Sequence, residues 1–331
     1  MELTLLNVVI AVVIAIGFAA LNAAYLVWAE RRGAGRIQRR PGPNINGPLG
    51  LLQPPLDGIK LMAKQLIIPG GADKALFIAA PVLAMAPAII SFVTIPFSET
   101  IIAHNLNIGV LAIFAFASMG GISLLFAGWS SRNKYAVMSA VRAVSQAIAY
   151  EIPMLVTVIT VVMIAGTMNL YDIVQGQMGG IWNWNLFPFK AGLFNPLMLM
   201  SFLIFFICTL AETNRAPFDL GEAESELVAG FHTEYGSMGF GLFFMGEYAN
   251  IVIGASLTTI LFLGGWSCPF GLFPGVWWFL IKIYLIIATI IWIRWTFPRT
   301  TIYGLLNLSW KILIPFSLFN LLLTAGLLKV L

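Results

Sequence analysis

Apolar residues in this chain fall in long unbroken runs rather than alternating with polar ones. Eight such runs are legible, at 3–29, 75–97, 108–128, 144–166, 194–210, 240–264, 274–293 and 308–328. A helix that crosses a bilayer needs about 20 consecutive apolar residues, whereas a barrel strand alternates over about ten. The pattern therefore predicts an all-α, polytopic membrane protein with about eight transmembrane helices. The first run reads as a span and not as a cleaved signal peptide, because it is too long for a signal core and only Glu2 precedes it as a charge.

A different pattern follows the first run. Arg31 to Gly50 is rich in Arg, Pro and Gly and reads as irregular. Next, Leu49, Leu52, Leu56, Ile59, Ala63 and Leu66 recur at steps of three and four, with Gln53, Asp57, Lys60 and Lys64 on another face. That periodicity predicts an amphipathic helix, lying in the membrane interface or packed on the ends of the spans. The segment 170–189 carries Tyr171, Trp182, Trp184 and Phe187 and reads as a second interfacial stretch without assigned chemistry.

Composition supports lipid as the solvent. Of the 331 residues, 60% are hydrophobic and 10% charged, and the mean hydropathy is +0.92. Soluble domains carry about 25% charged residues. The whole chain, 1–331, reads as one integral membrane domain with two notable loops, a basic one at 30–74 and an acidic one at 211–239.

Charge sets the orientation. Of the 18 lysines and arginines, fifteen fall on one side of the predicted spans: Arg31, Arg32, Arg36, Arg39, Arg40, Lys60, Lys64, Lys74, Arg132, Lys134, Arg142, Arg215, Arg294, Arg299 and Lys311. Only Lys190 and Lys329 fall on the other, and Lys282 lies inside the seventh run. The basic side is expected to be cytoplasmic, with both termini outward (periplasmic). The net charge of +4 is this loop asymmetry and not a nucleic-acid patch.

The acidic residues carry the candidate chemistry. Glu151 lies within the fourth run, just before Pro153, and Glu247 lies within the sixth. Ionisable groups at membrane depth face a protein interior or a water-filled cavity. A buried carboxyl poised near neutral pH can take and release protons, although each of these two can also be a satisfied structural residue. Pro153 removes one helix hydrogen bond, so the backbone beside Glu151 is expected to be loosened. The acidic loop holds Glu212, Asp219, Glu222, Glu224, Glu226 and Glu234, offset by Arg215 and, when protonated, His232. Interleaved Phe218, Leu220, Leu227, Val228 and Phe231 argue for a partly buried cluster that shares protons, against a simply solvated acidic face. If the segment is helical, Glu222 and Glu226 share a face and Glu224 points elsewhere. Glu30 sits among arginines as a proton-path candidate or an interfacial ion pair. Lys282 and Arg294 either pair with these acids or snorkel.

Cofactor chemistry is constrained by scarcity. Two cysteines, Cys208 and Cys268, fall in different segments and cannot supply the thiolates of an iron–sulfur cluster. Two histidines, His104 and His232, are predicted on opposite sides of the membrane and cannot share a haem. No glycine-rich dinucleotide fingerprint follows a strand. The chain is therefore expected to bind no cofactor or metal of its own.

Four stretches together carry a family resemblance: AERRGAGRIQRRPGPNINGPLGLLQPPLDGIKLMAK, GWSSRNKYAVMSAVRAVSQAIAYEIP, AETNRAPFDLGEAESELVAGFHTEYGSMGFGLFFMGEYANI and RWTFPR. They extend from residue 29 to 299 and resemble the H-subunit family of bacterial proton-pumping NADH:quinone oxidoreductase, respiratory complex I (subunit 1 of the mitochondrial enzyme). The resemblance implies a subunit of the inner membrane that joins the membrane arm to the peripheral arm and walls a quinone chamber. NAD chemistry, FMN and iron–sulfur clusters are then expected in partner subunits, with quinone as substrate. It implies a proton path through Glu30, Glu151, Asp219, Glu222, Glu224, Glu226, Glu234 and Glu247. It also implies a chamber wall near Arg31, Arg32, Arg36, Gln53, Lys60, Phe218, Phe231 and Arg299. Three alternatives remain open. A homologous subunit of a membrane-bound hydrogenase or formate hydrogenlyase would share the fold and many acids without binding quinone. A stand-alone proton-coupled transporter would need no partners, and a purely structural anchor would need no acids at membrane depth.

Overall fold

The computed structural model describes residues 5–187, 198–221 and 224–330. Its longer helices are α1 (Leu5–Ile37), α3 (Lys74–Thr94), α4 (Gly109–Ser130), α5 (Lys134–Ala165), α7 (Met198–Glu212), α9 (Ser237–Phe262), α10 (Val276–Thr296) and α12 (Ile314–Val330). Short helices α2 (Gln53–Ala63), α6 (Leu170–Gln175), α8 (Glu224–Leu227) and α11 (Ile302–Leu308) fill the connections, and a π-helical turn at Ser309–Leu313 joins α11 to α12. Among the described residues no strand occurs, as expected of an all-α protein.

Among the described residues seven helices are long and apolar enough to cross a membrane, with the α11–α12 unit counted as one. The eighth expected span corresponds to α7, which is apolar but shorter; residues 194–197 of that prediction lie outside the described residues. Two boundaries differ from expectation. The segment from Arg31 to Gly50 is not irregular throughout, because α1 continues to Ile37. Ala, Glu and Arg are good helix formers, so the helix outlasts its own hydrophobicity. It stops where Arg39 takes a left-handed conformation and the chain folds back onto Gly35. A Cβ on Gly35 would stand 2.8 Å from the Arg40 carbonyl oxygen, so this return requires glycine. Similarly, α5 begins at Lys134, where Asn133 Oδ1 accepts from the Tyr135 amide at 2.9 Å, so the basic 129–143 loop is mostly helix. Asp73 caps α3 in the same way, accepting from the Ala75 and Leu76 amides.

Helix α9 is the centre of the bundle and the most buried of the spans; it packs against α1, α3, α7 and α10. With it, α3, α4, α5 and α7 close a ring through successive contacts. Gly128 lets α4 approach α5 closely: a Cβ there would lie 2.5 Å from Ala140 Cβ and 2.6 Å from the Ala136 carbonyl. We expect Gly128→Ala to push the two helices apart and destabilise the protein by about 1–3 kcal/mol. A lower unfolding temperature in detergent would register this; an unchanged one would mean that the contact relaxes freely.

Prolines inside these helices free carbonyls that distant side chains then satisfy. Pro153 leaves the Ala149 carbonyl without its helical donor, and the Ser309 hydroxyl donates to it at 2.5 Å. Pro81 does the same to Phe77, whose carbonyl accepts from the Tyr235 hydroxyl at 3.2 Å. Burial pushes the Tyr235 phenol above its ordinary range, which keeps it a donor. The backbone beside Glu151 is thus pinned and not loose, because the freed acceptor has a partner.

Helix α2 lies where its periodicity placed it. It packs against α1 and α9, and Ser237 donates to the Leu61 and Lys64 carbonyls at 3.2 and 2.6 Å. Leu52, Leu56, Ile59 and Met62 remain exposed. The helix therefore both packs on the bundle and turns an apolar face outward.

Candidate functional site

Three carboxylates from three different helices meet in one cavity of about 290 Å³. Glu151 comes from α5, Glu212 from the last residue of α7, and Glu247 from α9. All three are half-buried. Ala117, Gly120 and Gly121 of α4 form the facing wall, and their small side chains are what leave the space. Thr213, Asn214 and Asn250 complete its polar lining. A smaller recess of about 30 Å³ shares Glu212, Thr213 and Asn250 and continues to Ser91, Thr209 and Leu257. This polar space can hold waters, since one needs only about 10–15 Å³ of accessible volume and a few polar partners. Carboxylates sharing such a space cannot all ionise cheaply, so they can pass protons among themselves.

Glu212 is absent from the acids that the family resemblance singled out. Its signal was present, because Thr209 and Glu212 stand three residues apart at the end of a largely apolar helix, which puts them on one face. Glu247 and Asn250 form the same kind of pair on α9. Glu247 also faces His232, with 3.4 Å between Oε1 and Nε2. His232 is buried against Phe231, Phe240 and Phe243.

Apart from Glu212, the described loop acids do not line this cavity, and they do not form one cluster. Asp219 is buried and pairs with Arg299 at 3.2 Å. Glu226 is exposed and pairs with Arg142 at 2.5 Å. Glu234 accepts from Asn133 Nδ2 at 2.8 Å. Each thus has its own partner, where the sequence suggested shared protons. Glu222 lies outside the described residues, as does the side chain of Glu224, and α8 is a single turn. The Glu226–Arg142 pair is screened by solvent, so Glu226→Ala is expected to change stability by less than about 1 kcal/mol. Thermal unfolding of the variant checks this; a larger loss would mean that the pair is shielded in the assembled protein.

Glu30 stands apart from the cavity, and its partners are not its neighbours in sequence. Arg215 and Arg294 both bond to it, and the Tyr248 hydroxyl donates to it at 2.5 Å. Arg294 therefore pairs, as one of its two alternatives held. Among the described residues, Lys282 neither pairs with an acid nor snorkels. Its ammonium donates to the carbonyls of Leu263, Gly265 and Ser267 at 2.7, 2.9 and 2.7 Å.

Apart from Arg299, which pairs with Asp219, the residues expected along a chamber wall divide into two groups. Arg31, Arg32 and Gln53 gather where α1 meets α2. Arg31 pairs with Asp57 at 2.9 Å, Gln53 donates to the same carboxylate at 2.8 Å, and Arg32 donates to the Leu49 carbonyl at 2.8 Å. Arg36 and Lys60 are exposed on the same two helices. Phe218 and Phe231 are instead buried in two separate apolar clusters, so neither lines an open surface of this chain. Phe218 packs on Tyr150, and Phe231 on Phe243.

Membrane-length helices enclosing an acid-lined cavity define a polytopic helical membrane protein. Comparison with known proteins makes this specific. The NADH dehydrogenase family model matches residues 10–325. The chain is 76% identical over 330 residues to the H subunit of NADH-quinone oxidoreductase from Desulfotalea psychrophila, covering 100% of this chain and 99% of that protein. It is 46% identical to the protein of the same name from Rhodospirillum rubrum, over 92% of this chain and 89% of that one. For the one from Dehalococcoides mccartyi the identity is 44%, over 97% and 86%. The chain belongs to the NADH dehydrogenase family.

Proposed function

We propose that this chain is the membrane subunit of a proton-translocating NADH:quinone oxidoreductase of the bacterial inner membrane. It walls the quinone chamber and couples quinone reduction to proton movement. The observation that carries the coupling is the convergence of Glu151, Glu212 and Glu247 on one polar cavity inside the bundle. Quinone reduction takes up two protons per molecule and changes the local charge. That change shifts protons held among the three acids and biases their release farther along the membrane arm. His232, bonded to Glu247, links the cavity to the loop that carries Asp219, Glu222, Glu224, Glu226 and Glu234. Glu30, on a separate recess, is not part of that route.

The chamber wall is built on the exposed ends of α1 and α2, with Arg31, Arg32, Arg36, Gln53 and Lys60, and on Arg299 near Asp219. Phe218 and Phe231 serve it as packing that holds the acidic loop. Peripheral subunits complete the chamber and hold FMN and the iron–sulfur clusters. The names shared by the relatives favour this reading over a hydrogenase component, and their near full-length match favours it over an unrelated transporter.

Purification from native membranes tests it. The protein, tagged at its C-terminus and extracted in mild detergent, is expected to bring down an assembly that reduces quinone with NADH and is blocked by quinone-site inhibitors. An assembly that evolves hydrogen and ignores quinone would indicate the hydrogenase homologue, and a protein recovered alone would indicate a transporter.

A further inference from the structure

We infer that Glu30 is a fixed positioning anion and not a proton carrier: through Arg215 it holds the segment that sets Glu212 and Asn214 on the cavity wall. This rests on the function proposed above and adds a division of labour among its acids.

The geometry around Glu30 is closed. The residue is 5% exposed. Arg294 of α10 bonds to Oε1, Arg215 reaches both oxygens at 3.4 and 3.3 Å, and Tyr248 of α9 donates to Oε2 at 2.5 Å. The Arg215 guanidinium also lies over the Tyr248 ring, 4.3 Å from its centre. Both carboxylate oxygens thus face donors, two of them guanidinium groups that do not deprotonate in proteins. A proton on Glu30 would displace one of those donors and leave both cations beside a neutral acid.

The space beside Glu30 is also small. Its recess is about 10 Å³, at the lower limit for one water. Apart from the four polar residues, its walls are Leu26 and isoleucines of α9 and α10. Glu151, Glu212 and Glu247 line the other, much larger cavity. A group that exchanges protons needs a connection to its partners, and among the described residues Glu30 shares no cavity with those three acids.

What Glu30 does connect is backbone. Arg215 follows Glu212 by three residues, in the turn that leaves α7. From the opposite side Gln146 of α5, fully buried, donates to the carbonyls of Ala211 and Phe218, each at 2.7 Å, and to Asn214 Oδ1 at 3.3 Å. The stretch 211–218 is therefore held between Gln146 and the Glu30–Arg215 pair. Release of one side would let Glu212 and Asn214 drift from Glu151 and Glu247.

A charge-paired rescue separates the two roles. In membranes containing the whole complex, Glu30→Gln is expected to lower NADH-driven quinone reduction by roughly tenfold, because two buried guanidinium groups lose their counter-charge. Arg294→Gln is expected to do likewise. The double variant Glu30→Gln, Arg294→Gln removes one charge of each sign, leaves an amide oxygen at position 30 to accept from Arg215, and is expected to recover to within about threefold of the parent, since neighbouring charge changes compensate. In every active variant the number of protons moved per electron should equal that of the parent. A carrier lost with Glu30 could not be restored by an uncharged pair. The inference is overturned if the double variant is no better than Glu30→Gln, or if electron transfer persists while protons per electron fall. Should Glu30→Gln fail to assemble, the double variant decides alone: assembly with the parental ratio supports the inference, and anything less refutes it. Failure of the parent complex to reduce quinone would instead strike at the proposed function itself.

Discussion

Glu151→Gln is expected to reduce NADH-driven proton translocation by tenfold or more, roughly the scale of losing a positioned acid–base group, while the complex still assembles. Glutamine preserves the shape and most of the polarity of the side chain but cannot titrate. Glu151 sits half-buried on the cavity between α4 and α5, opposite Glu212 and Glu247, so its removal leaves two acids without the third. The backbone that carries it is fixed independently, by the Ser309 hydroxyl on the Ala149 carbonyl and the Tyr150 hydroxyl on the Leu305 carbonyl. Neither contact involves the carboxylate, which is why folding should survive. The membrane potential generated by sealed vesicles, measured beside the amount of assembled complex, is the readout. A variant that pumps normally would return Glu151 to the role of a satisfied structural polar residue.

Lys282→Met is expected to act on stability instead. Lys282 is 6% exposed, and its ammonium sits 4.1 Å from the centre of the Trp184 ring. Its three donors serve three carbonyls in the turn after α9, where Gly264 and Gly265 both hold positive φ. Backbone acceptors at membrane depth need internal partners. Methionine fills the space and supplies no donor, so the loss is expected to reach about 4 kcal/mol, given about 1.5–3 kcal/mol for each hydrogen bond to a charged group. A lower unfolding temperature of the purified complex and less of this protein in membranes would register it. Lys282→Arg should not rescue, because a planar fork cannot direct its donors at three carbonyls around one point. Protons per electron in the assembled fraction should be unchanged; a fall in that ratio would mean that Lys282 acts in coupling.

Several features were legible one segment at a time. Continuous hydrophobicity marked the spans, since a residue's preference for lipid over water is a local property. Steps of three and four in 49–66 marked α2. Hydropathy failed at the ends of α1 and α5, because a helix is held by backbone hydrogen bonds and good helix formers, and these outlast the apolar run. The identity of the acids at membrane depth was also readable, as Glu151 and Glu247 are conspicuous by their cost.

Which of these acids meet was decided only by the tertiary structure. Glu212 joins Glu151 and Glu247 because of how α5, α7 and α9 are rotated against one another, and rotation depends on packing, not on any one segment. Glu30 lies beside Arg31 and Arg32 in sequence but pairs with Arg215 and Arg294, 185 and 264 positions away. By its charge Lys282 could pair with an acid or snorkel, and among the described residues it does neither, because three carbonyls lie within bonding reach. The sequence by itself determined the solvent of each segment and the chemical groups available. The tertiary structure decided the partners, because in lipid each buried polar group takes a partner that packing brings within bonding distance.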